Sequence, residues 1–204
     1  KLYSTEYVGM DDTNRLTFHY PYGIKHHKGC NGENPYWEGD GHCQIFMEDR
    51  AKGYPTDKPI YIFEGEKDAL VAPFNGISFS AGAGSIPKDI TILFRHDTII
   101  IVYDNDKTGK DGAIKLVSRI KKESPRTIVR IAKWNESLAD GYDVWDEWKK
   151  TMTDKNYHYD ELDEAIKNAV EYKFPNKGFE VIDMKTLMNK YNIPLIHIIE
   201  NLLV

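Results

Sequence analysis

The stretch at residues 98–106 reads TIIIVYDND and gives the clearest indication of the fold. Its first six residues are β-branched or aromatic and do not alternate with charged residues. Such a run is typical of a strand that is covered on both faces, as in the middle of a parallel sheet. The acidic residues Asp104 and Asp106 follow it closely. We therefore predict a central parallel strand whose carboxyl end carries two carboxylates.

Strand and helix signals alternate on both sides of this run. Further strands are predicted at residues 59–64, 76–81 and 126–134, and helices at 66–73, 88–95, 108–122 and 144–152. Strands that alternate with helices are typical of a parallel sheet with helices on both of its faces. The predicted fold class is therefore α/β.

The segments that flank this alternation differ from it in composition. Residues 16–37 are rich in aromatic residues, Gly and Asn, with a predicted hairpin through Tyr22-Gly23, which favours a small β-rich subdomain. Residues 159–172 carry apolar residues at helical spacing, which predicts an amphipathic helix and hence a helical extension. The predicted boundaries are 1–57 for the N-terminal subdomain, 58–152 for the α/β domain, 153–178 for a helical linker and 179–204 for the start of a further domain.

Composition limits the class of protein. No stretch of the 204 residues approaches the ~20 apolar residues that a membrane-spanning helix needs. The chain has only two cysteines, which argues against a disulfide scaffold and favours a reducing, cytoplasmic location. A net charge of −5 argues against nucleic-acid binding by overall positive charge, but it leaves metal-mediated binding of phosphates open. We expect a cytoplasmic protein with no membrane contact, cut at both ends from a longer chain.

Acidic residues end two of the predicted strands. Glu64 ends the strand at 59–64, and Asp104 and Asp106 follow the strand at 98–103. Ligands of open parallel sheets bind beyond the carboxyl ends of the strands, so we expect these carboxylates to meet there. Carboxylates brought together repel unless they are protonated or hold a cation, and oxygen ligands suit Mg²⁺ or Mn²⁺. The pattern predicts a metal site for phosphoryl transfer, with a simple helix N-cap as the alternative for Asp106.

Two motifs resemble the Toprim domain of bacterial replicative primases, phage primase–helicases, topoisomerases and some nucleases. They are EGEKDA at residues 64–69 and DNDKTG at residues 104–109, each at the end of an apolar strand. The resemblance covers about residues 59–152 and includes the family's Glu-Gly after one strand and Asp-x-Asp after a later one. It implies a Toprim-like parallel sheet with helices on both faces.

Finer features resemble the primase branch, in particular proteins of phages and mobile elements. They are the turn GAGS at 82–85, the segment DNDKTGKDGA at 104–113, the segment GYDVWD at 141–146 and the upstream YGIKHH at 22–27. Residues 179–204 look like a lead-in to a RecA-like ATPase. The 204 residues contain no Gly-x-x-x-x-Gly-Lys-Ser/Thr loop, so we expect such an ATPase to lie beyond Val204.

This resemblance implies a function and a set of site residues. Glu64, Asp104 and Asp106 would be catalytic and bind Mg²⁺ or Mn²⁺, and Lys25 would supply the basic residue that the family places near the active site. His27 stands where the family pattern leads us to expect arginine. The implied activity is that of a DNA primase, which makes RNA primers from ribonucleoside triphosphates on single-stranded DNA. The implied partner in the same full-length chain is a helicase domain.

Other residues are second choices. Glu66, Asp68 and Asp143 could extend the acidic pocket, although a solvated first-turn acid explains Asp68 and an N-cap explains Asp143 about as well. For the remaining candidates the alternatives are a solvated surface for lysine and turn geometry for glycine. The predicted phosphate or nucleic-acid contacts are Lys67, Lys107, Lys110, Gly82 and Gly84. Three tryptophans are predicted to lie in the core: Trp134, Trp145 and Trp148.

Two other functions stay open at this stage. A Toprim nuclease would use the same acids and metals, with water in place of the 3′ hydroxyl as the nucleophile. A non-catalytic Toprim module would bind nucleic acid or a partner protein, although the presence of all three core acids argues against it. A topoisomerase is disfavoured because no domain with a nucleophilic tyrosine is evident.

Overall fold

The computed structural model describes residues 8–10, 15–20, 23–26, 36–39 and 42–173. The first strands form a small antiparallel sheet in the order β1-β2-β3-β4. Its strands are β1 (Val8–Met10), β2 (Leu16–Tyr20), β3 (Gly23–His26) and β4 (Tyr36–Gly39). Tyr20 pairs with Gly23 in the antiparallel ladder of β2 and β3, which confirms the predicted hairpin at this point. The small sheet is the β-rich part that the sequence predicts.

The main sheet has the order β10-β9-β8-β6-β7-β5 within the described residues. Its strands are β5 (Ile45–Phe46), β6 (Ile60–Phe63), β7 (Gly76–Phe79), β8 (Thr98–Val102), β9 (Ile128–Ile131) and β10 (Val170–Glu171). The pairs β7–β6, β6–β8 and β8–β9 are parallel, and the two edge strands are antiparallel to their neighbours. The prediction that the run after residue 98 forms a central parallel strand is therefore confirmed.

Helices cover both faces of the main sheet. They are α1 (Glu48–Gly53), α2 (Glu66–Val71), a 3₁₀ helix (Thr91–Arg95), α3 (Lys107–Glu123), α4 (Val144–Thr153) and α5 (Asp160–Lys167). Successive residues of a strand point to opposite faces, so β8 contributes to two cores. Ile99 and Ile101 share one core with Leu116 of α3, whereas Ile100 and Val102 share the other with α4 and α5. This double coverage explains why the sequence of β8 shows no polar alternation.

The C-terminal part of the described chain corrects one prediction. The amphipathic helix expected over residues 159–172 ends at Lys167, and Val170 lies in β10 with 59% of its surface exposed. Val170 pairs with Ile131 of β9 in an antiparallel ladder. The backbone groups at the open edge of β9 need hydrogen-bond partners, and a strand supplies them where a continued helix would not.

The structure also bears on elements near the predicted domain boundaries. β5 lies before residue 58 and pairs with β7 of the main sheet, and β10 lies after residue 152 and pairs with β9. The boundaries themselves remain predictions, and residues 174–204, which contain the predicted further domain, lie outside the described residues. Among the described helices, none has both the length and the apolar character needed to cross a bilayer.

Candidate metal centre

The order of the strands creates a crevice between β6 and β8. The chain leaves β6 through α2 to reach β7 on one side, and it leaves β8 through α3 to reach β9 on the other. Neighbouring parallel strands whose connections diverge in this way leave an opening at their carboxyl ends, where ligands of α/β proteins bind. Glu64 follows β6 and Asp104 follows β8 after one residue, so both predicted acids lie at this opening.

Three aspartates come together at the opening. Asp68, Asp104 and Asp143 each place one carboxylate oxygen within 4.8 Å of the other two. They come from α2, from the loop after β8 and from the residue before α4. This oxygen-only donor set suits Mg²⁺ or Mn²⁺ and lacks the nitrogen or sulfur ligands that zinc usually takes. Among the described residues, the group of three mutually close acids therefore consists of Asp104 and two residues that the sequence ranked second, Asp68 and Asp143.

Backbone hydrogen bonds hold two of these aspartates in place. The carboxylate of Asp68 accepts a hydrogen bond of 3.0 Å from the backbone N–H of Trp145, in the first turn of α4. Asp143 accepts one of 2.8 Å from the backbone N–H of Asp146 and so caps α4. Asp68 is only 6% exposed, so its interpretation as a solvated first-turn acid is wrong. The N-cap expected for Asp143 is present, and the same residue also faces the acidic group.

Glu64 borders this group. Its carboxylate accepts a hydrogen bond of 3.3 Å from the backbone N–H of Asp104 and another from the backbone N–H of Ala83. Burial, followed by the charges of Asp106 and Asp143, raises the pKa of Glu64. The GAGS turn thus contributes a backbone amide to the site through Ala83, between the two glycines that the sequence suggested.

Asp106 acts as a helix cap. One oxygen of its carboxylate accepts a hydrogen bond of 2.6 Å from the backbone N–H of Gly109, in the first turn of α3. The alternative that the sequence offered for this residue is therefore observed. Within the described part of the chain, Asp106 is outside the group of three mutually close carboxylates, although its charge still raises the pKa of Glu64. Its role as a metal ligand stays a prediction.

The acids at the opening are electrostatically coupled. Burial, followed by the charges of Glu64 and Asp68, raises the pKa of Asp104 to about 9. Burial, followed by the charge of Asp143, raises the pKa of Asp68 to about 7. Burial is also the main reason that the pKa of Asp143 is raised. Positive charge nearby would favour the ionised form of all three carboxyl groups, which fits a site for a divalent cation.

Glu66 and Lys25 form a separate ion pair, in which the two charges balance. The Lys25 ammonium donates hydrogen bonds to the two carboxylate oxygens of Glu66 at 2.8 and 3.0 Å and to the carbonyl oxygen of Ser80 at 2.6 Å. The Tyr20 hydroxyl donates another to Glu66 at 2.7 Å. Because Glu66 has a cation of its own, it is less suited to bind a metal than its neighbour Asp68. Lys25 joins the small sheet to the start of α2, and its catalytic role stays a prediction.

The remaining predicted contacts lie around the site. The ammonium of Lys67 lies 5.1 Å from the centre of the Trp145 ring, and the Trp145 and Trp148 rings are 4.4 Å apart. Both tryptophans are only half-buried, so the prediction that they lie in the core is wrong for them and correct for Trp134, which is 6% exposed. The other predicted contacts are on or near the surface: Lys107, Lys110, Gly82 and Gly84. Gly82 has a φ of +70°, which turn geometry explains without a phosphate.

Gly109 packs directly against the acidic site. A Cβ atom at this position would lie 2.4 Å from the carbonyl oxygen of Asp104 and 3.0 Å from the carboxylate of Glu64. A second glycine one helical turn later, Gly112, would bring a Cβ within 2.6 Å of Ala83. The two glycines let α3 approach both the loop after β8 and the GAGS turn. This close approach places the amides of Ala83 and Asp104 around Glu64.

We expect Gly109→Ala to weaken metal binding and to destabilise the fold. Alanine improves helix propensity by about 1 kcal/mol, but an atom forced into a filled space costs about 1–3 kcal/mol, so a net loss on the order of 1 kcal/mol is expected. Urea unfolding and calorimetric titration with Mn²⁺ would measure the two effects. Gly53→Ala is the control, because a Cβ atom there meets nothing within 4 Å. A variant Gly109→Ala as stable and as tight in Mn²⁺ binding as wild type would contradict the packing argument.

Comparisons with known proteins relate the fold to primases. No family model matches the chain. The chain resembles GTPase Der of Crocosphaera subtropica with 27% identity over 108 residues, which is 53% of this chain and 24% of the GTPase. It thus spans about a quarter of that relative, and the 204 residues lack the phosphate-binding loop of P-loop GTPases. Similarity to solved structures extends over a larger share of this chain.

Solved structures provide that similarity. A DNA primase domain from Pseudomonas aeruginosa matches with a TM-score of 0.56 and 16% identity, over 81% of this chain and 57% of that one. The Aquifex aeolicus primase, with its zinc-binding and RNA polymerase domains, matches with a TM-score of 0.53 and 15% identity. The match covers 78% of this chain and 41% of that one. The primase fragment of the bacteriophage T7 primase-helicase matches with a TM-score of 0.51 and 17% identity, over 72% of this chain and 63% of that one. The chain spans less than two thirds of each of these proteins.

The fold and the acidic centre together define the structural class of this domain. The chain is a mixed α/β domain with carboxylates at the opening between two diverging parallel strands. More specifically, its fold is similar to that of solved primase domains. At these identities the likeness concerns the fold, and the activity has to be argued from the site.

Proposed function

We propose that this domain is the catalytic core of a DNA primase that joins ribonucleotides on a single-stranded DNA template. The observation that carries the proposal is the group formed by Asp68, Asp104 and Asp143, whose carboxylate oxygens lie within 4.8 Å of one another. The group lies at the opening where ligands of α/β folds bind, in a domain with a primase-type fold. The resemblance of EGEKDA and DNDKTG to Toprim motifs supports the same conclusion.

The acids divide into two roles in this proposal. Asp68, Asp104 and Asp143 would hold Mg²⁺ or Mn²⁺, with Asp106 beside them. A bound cation supplies positive charge that aligns the nucleotide phosphates and offsets the charge that develops during phosphoryl transfer. The carboxyl group of Glu64 is half-buried and has a raised pKa, so it would accept a proton more readily than an ordinary carboxylate.

Basic residues and turns around the opening would contact the substrates. Lys67 lies next to Asp68 in α2, and Lys107 and Lys110 lie in the first turn of α3. These lysines, together with the turn at Gly82 and Gly84, would meet phosphates of the template or of the ribonucleoside triphosphates. We further propose that residues 58–152 form the catalytic part of a cytoplasmic protein of phage or mobile-element origin, whose full-length chain also carries a helicase domain.

Primer synthesis tests this proposal. The protein is incubated with single-stranded DNA, labelled ribonucleoside triphosphates and Mg²⁺, and short RNA products that disappear with EDTA are expected. Asp68→Asn should abolish the products, because it removes a buried carboxylate from the group of three. Asp111→Asn is the matched control, since Asp111 is an exposed acid of α3 outside that group. Products that are as abundant with Asp68→Asn as with wild type would contradict the proposal.

Two further assays separate the alternatives. Metal-dependent cleavage of labelled DNA or RNA without added nucleotides, and without primer synthesis, would indicate a nuclease that uses the same acids. Calorimetry that detects neither Mg²⁺ nor Mn²⁺ binding would indicate a non-catalytic module.

A further inference from the structure

A cavity of about 500 Å³ lies beside Asp104, beyond the carboxyl ends of β8 and β9. It is lined by the first part of α3, with Gly109 and Ala113, and by the segment after β9, with Trp134 and Leu138. Cavities of roughly 300–1,000 Å³ are typical of sites for small molecules and cofactors. The cavity shares Asp104 and Gly109 with the surroundings of the metal centre, so a single ligand can reach both.

The lining of the cavity combines apolar side chains with exposed charged residues. Ala113, Ile131 and Leu138 are partly or fully buried and supply apolar surface. Lys110 and Lys133 are exposed and add positive charge. Apolar walls can cover the faces of a nucleobase, and lysines can contact phosphate.

Two exposed acids that also line the cavity, Glu136 and Asp140, complete this pattern. Carboxylates beside a nucleotide accept hydrogen bonds from ribose hydroxyl groups, as they do in dinucleotide-binding folds. Apolar surface for a base, carboxylates for a sugar and lysines for phosphate together match one chemical class of ligand. That class is the nucleotides.

We propose that this cavity binds the base and ribose of a nucleotide whose phosphates face Asp104. The proposal rests on the proposed function, because it assigns the cavity to the substrate of the same acidic centre. It adds a binding site for the nucleoside part, formed by α3 and the segment at residues 131–140, which the acidic motifs alone do not indicate.

Trp134 provides a built-in reporter for this site. Trp134 lines the cavity, and its Nε1–H donates a hydrogen bond of 2.8 Å to the carbonyl oxygen of Tyr103, next to Asp104. Trp145 lies near the metal centre instead, because its backbone N–H binds Asp68. Resolved indole N–H signals in an NMR spectrum would therefore distinguish a ligand in the cavity from a metal among the acids.

The test uses ATP and CTP as probes, with Mg²⁺, on wild type and two variants. Val170→Phe adds bulk at a cavity residue that is 59% exposed, so the fold should accept it. Ile128→Phe is the matched control, since Ile128 is 37% exposed at the opposite end of β9 and does not line the cavity. We expect both nucleotides to shift the Trp134 indole signal of wild type and Ile128→Phe in a saturable way. For Val170→Phe we expect about tenfold weaker binding, which corresponds to about 1.4 kcal/mol.

A second variant and a kinetic readout keep the proposal separate from the proposed function. Lys133→Glu should also weaken nucleotide binding and raise the KM for ribonucleotides while changing kcat less. Nucleotides that shift only the Trp145 or Trp148 signal, or bind both cavity variants as tightly as wild type, would overturn the cavity site while leaving primer synthesis intact. A saturable Trp134 shift without any primer synthesis would support the cavity and reject the proposed function.

Discussion

Asp104→Asn should abolish the proposed nucleotidyl transfer and, at the same time, make the metal-free protein more stable. The loss of activity is expected to be on the order of 10³-fold, the effect of removing one preorganised electrostatic group from an active site. Asp104 belongs to the group of three close carboxylates and also donates its backbone N–H to Glu64. Asparagine keeps the shape of the side chain and removes only its charge, so the backbone contact should remain.

The gain in stability follows from the raised pKa of Asp104. Burial, followed by the charges of Glu64 and Asp68, raises this pKa from 3.8 to about 9. Because the folded state disfavours the ionised form, Asp104 lowers the stability of the metal-free protein progressively as the pH rises from 3.8 toward about 9. Below that window the penalty is absent. Each pKa unit of such a shift is worth about 1.4 kcal/mol. Once the remaining solvent exposure of Asp104 is allowed for, we expect Asp104→Asn to raise the free energy of unfolding by on the order of 1–2 kcal/mol near neutral pH.

Thermal unfolding in EDTA at several pH values, together with primer synthesis, measures both effects. The melting temperature of wild type should fall between about pH 5 and pH 8 more steeply than that of Asp104→Asn. Addition of Mn²⁺ should raise the melting temperature of wild type and leave that of the variant nearly unchanged. Asp111 is an exposed acid on α3, so Asp111→Asn should behave as wild type in all of these measurements. An Asp104→Asn protein that is less stable than wild type without metal would contradict the electrostatic account.

Lys25→Met should destabilise the fold by about 3 kcal/mol, the typical cost of removing one partner of a buried ion pair. The Glu66 side chain that remains is 4% exposed, and without Lys25 it would be a buried charge. Among the described residues, the Tyr20 hydroxyl would then be its one side-chain donor. Methionine retains much of the apolar stem of lysine, so the effect reports mainly on the charge. Urea unfolding gives the free energy directly.

A double variant separates the structural from the catalytic role of Lys25. Lys25→Met combined with Glu66→Gln removes both charges and should recover most of the lost stability. If Lys25 also contacts substrate, the double variant will be stable but inactive, whereas a purely structural lysine predicts recovery of activity as well. Lys52→Met is the control, because Lys52 is 47% exposed and its ion pairs with Glu48 and Asp49 lie on the surface. We expect that change to cost less than about 1 kcal/mol, and an equal effect at Lys25 would contradict the argument.

The sequence predicted that Glu64 and Asp104 lie at one edge of the sheet, and their role as metal ligands stays a prediction. Glu64 and Asp104 come at or just after the ends of two apolar strands, and the carboxyl ends of parallel strands meet at one edge of a sheet. The rest of the acidic centre depended on contacts between distant elements. Asp68 faces the centre from α2, with α4 docked so that the backbone N–H of Trp145 reaches its carboxylate from 77 residues away. Local sequence offers no signal for such an approach.

The end of the described chain shows a similar limit. The apolar spacing in residues 159–172 fits a helix, and α5 does form over the first part of this stretch. The helix stops because the open edge of β9 binds Val170 and Glu171 as a strand. Local periodicity describes one element at a time, whereas the demand of a sheet edge for hydrogen-bond partners depends on the completed sheet.

By itself, the sequence determined the α/β architecture, the central position of the TIIIV strand and the location of an acidic site at its carboxyl end. These follow from local properties, namely β-branched apolar runs, helical spacing and the residues that end each strand. The tertiary structure decided which carboxylates are mutually close, because it brings Asp68 and Asp143 to Asp104. By contrast, Asp106 caps α3 and Glu66 pairs with Lys25. The physical reason is that the packing of distant segments against one another, rather than residue type, decides which carboxylates come close together.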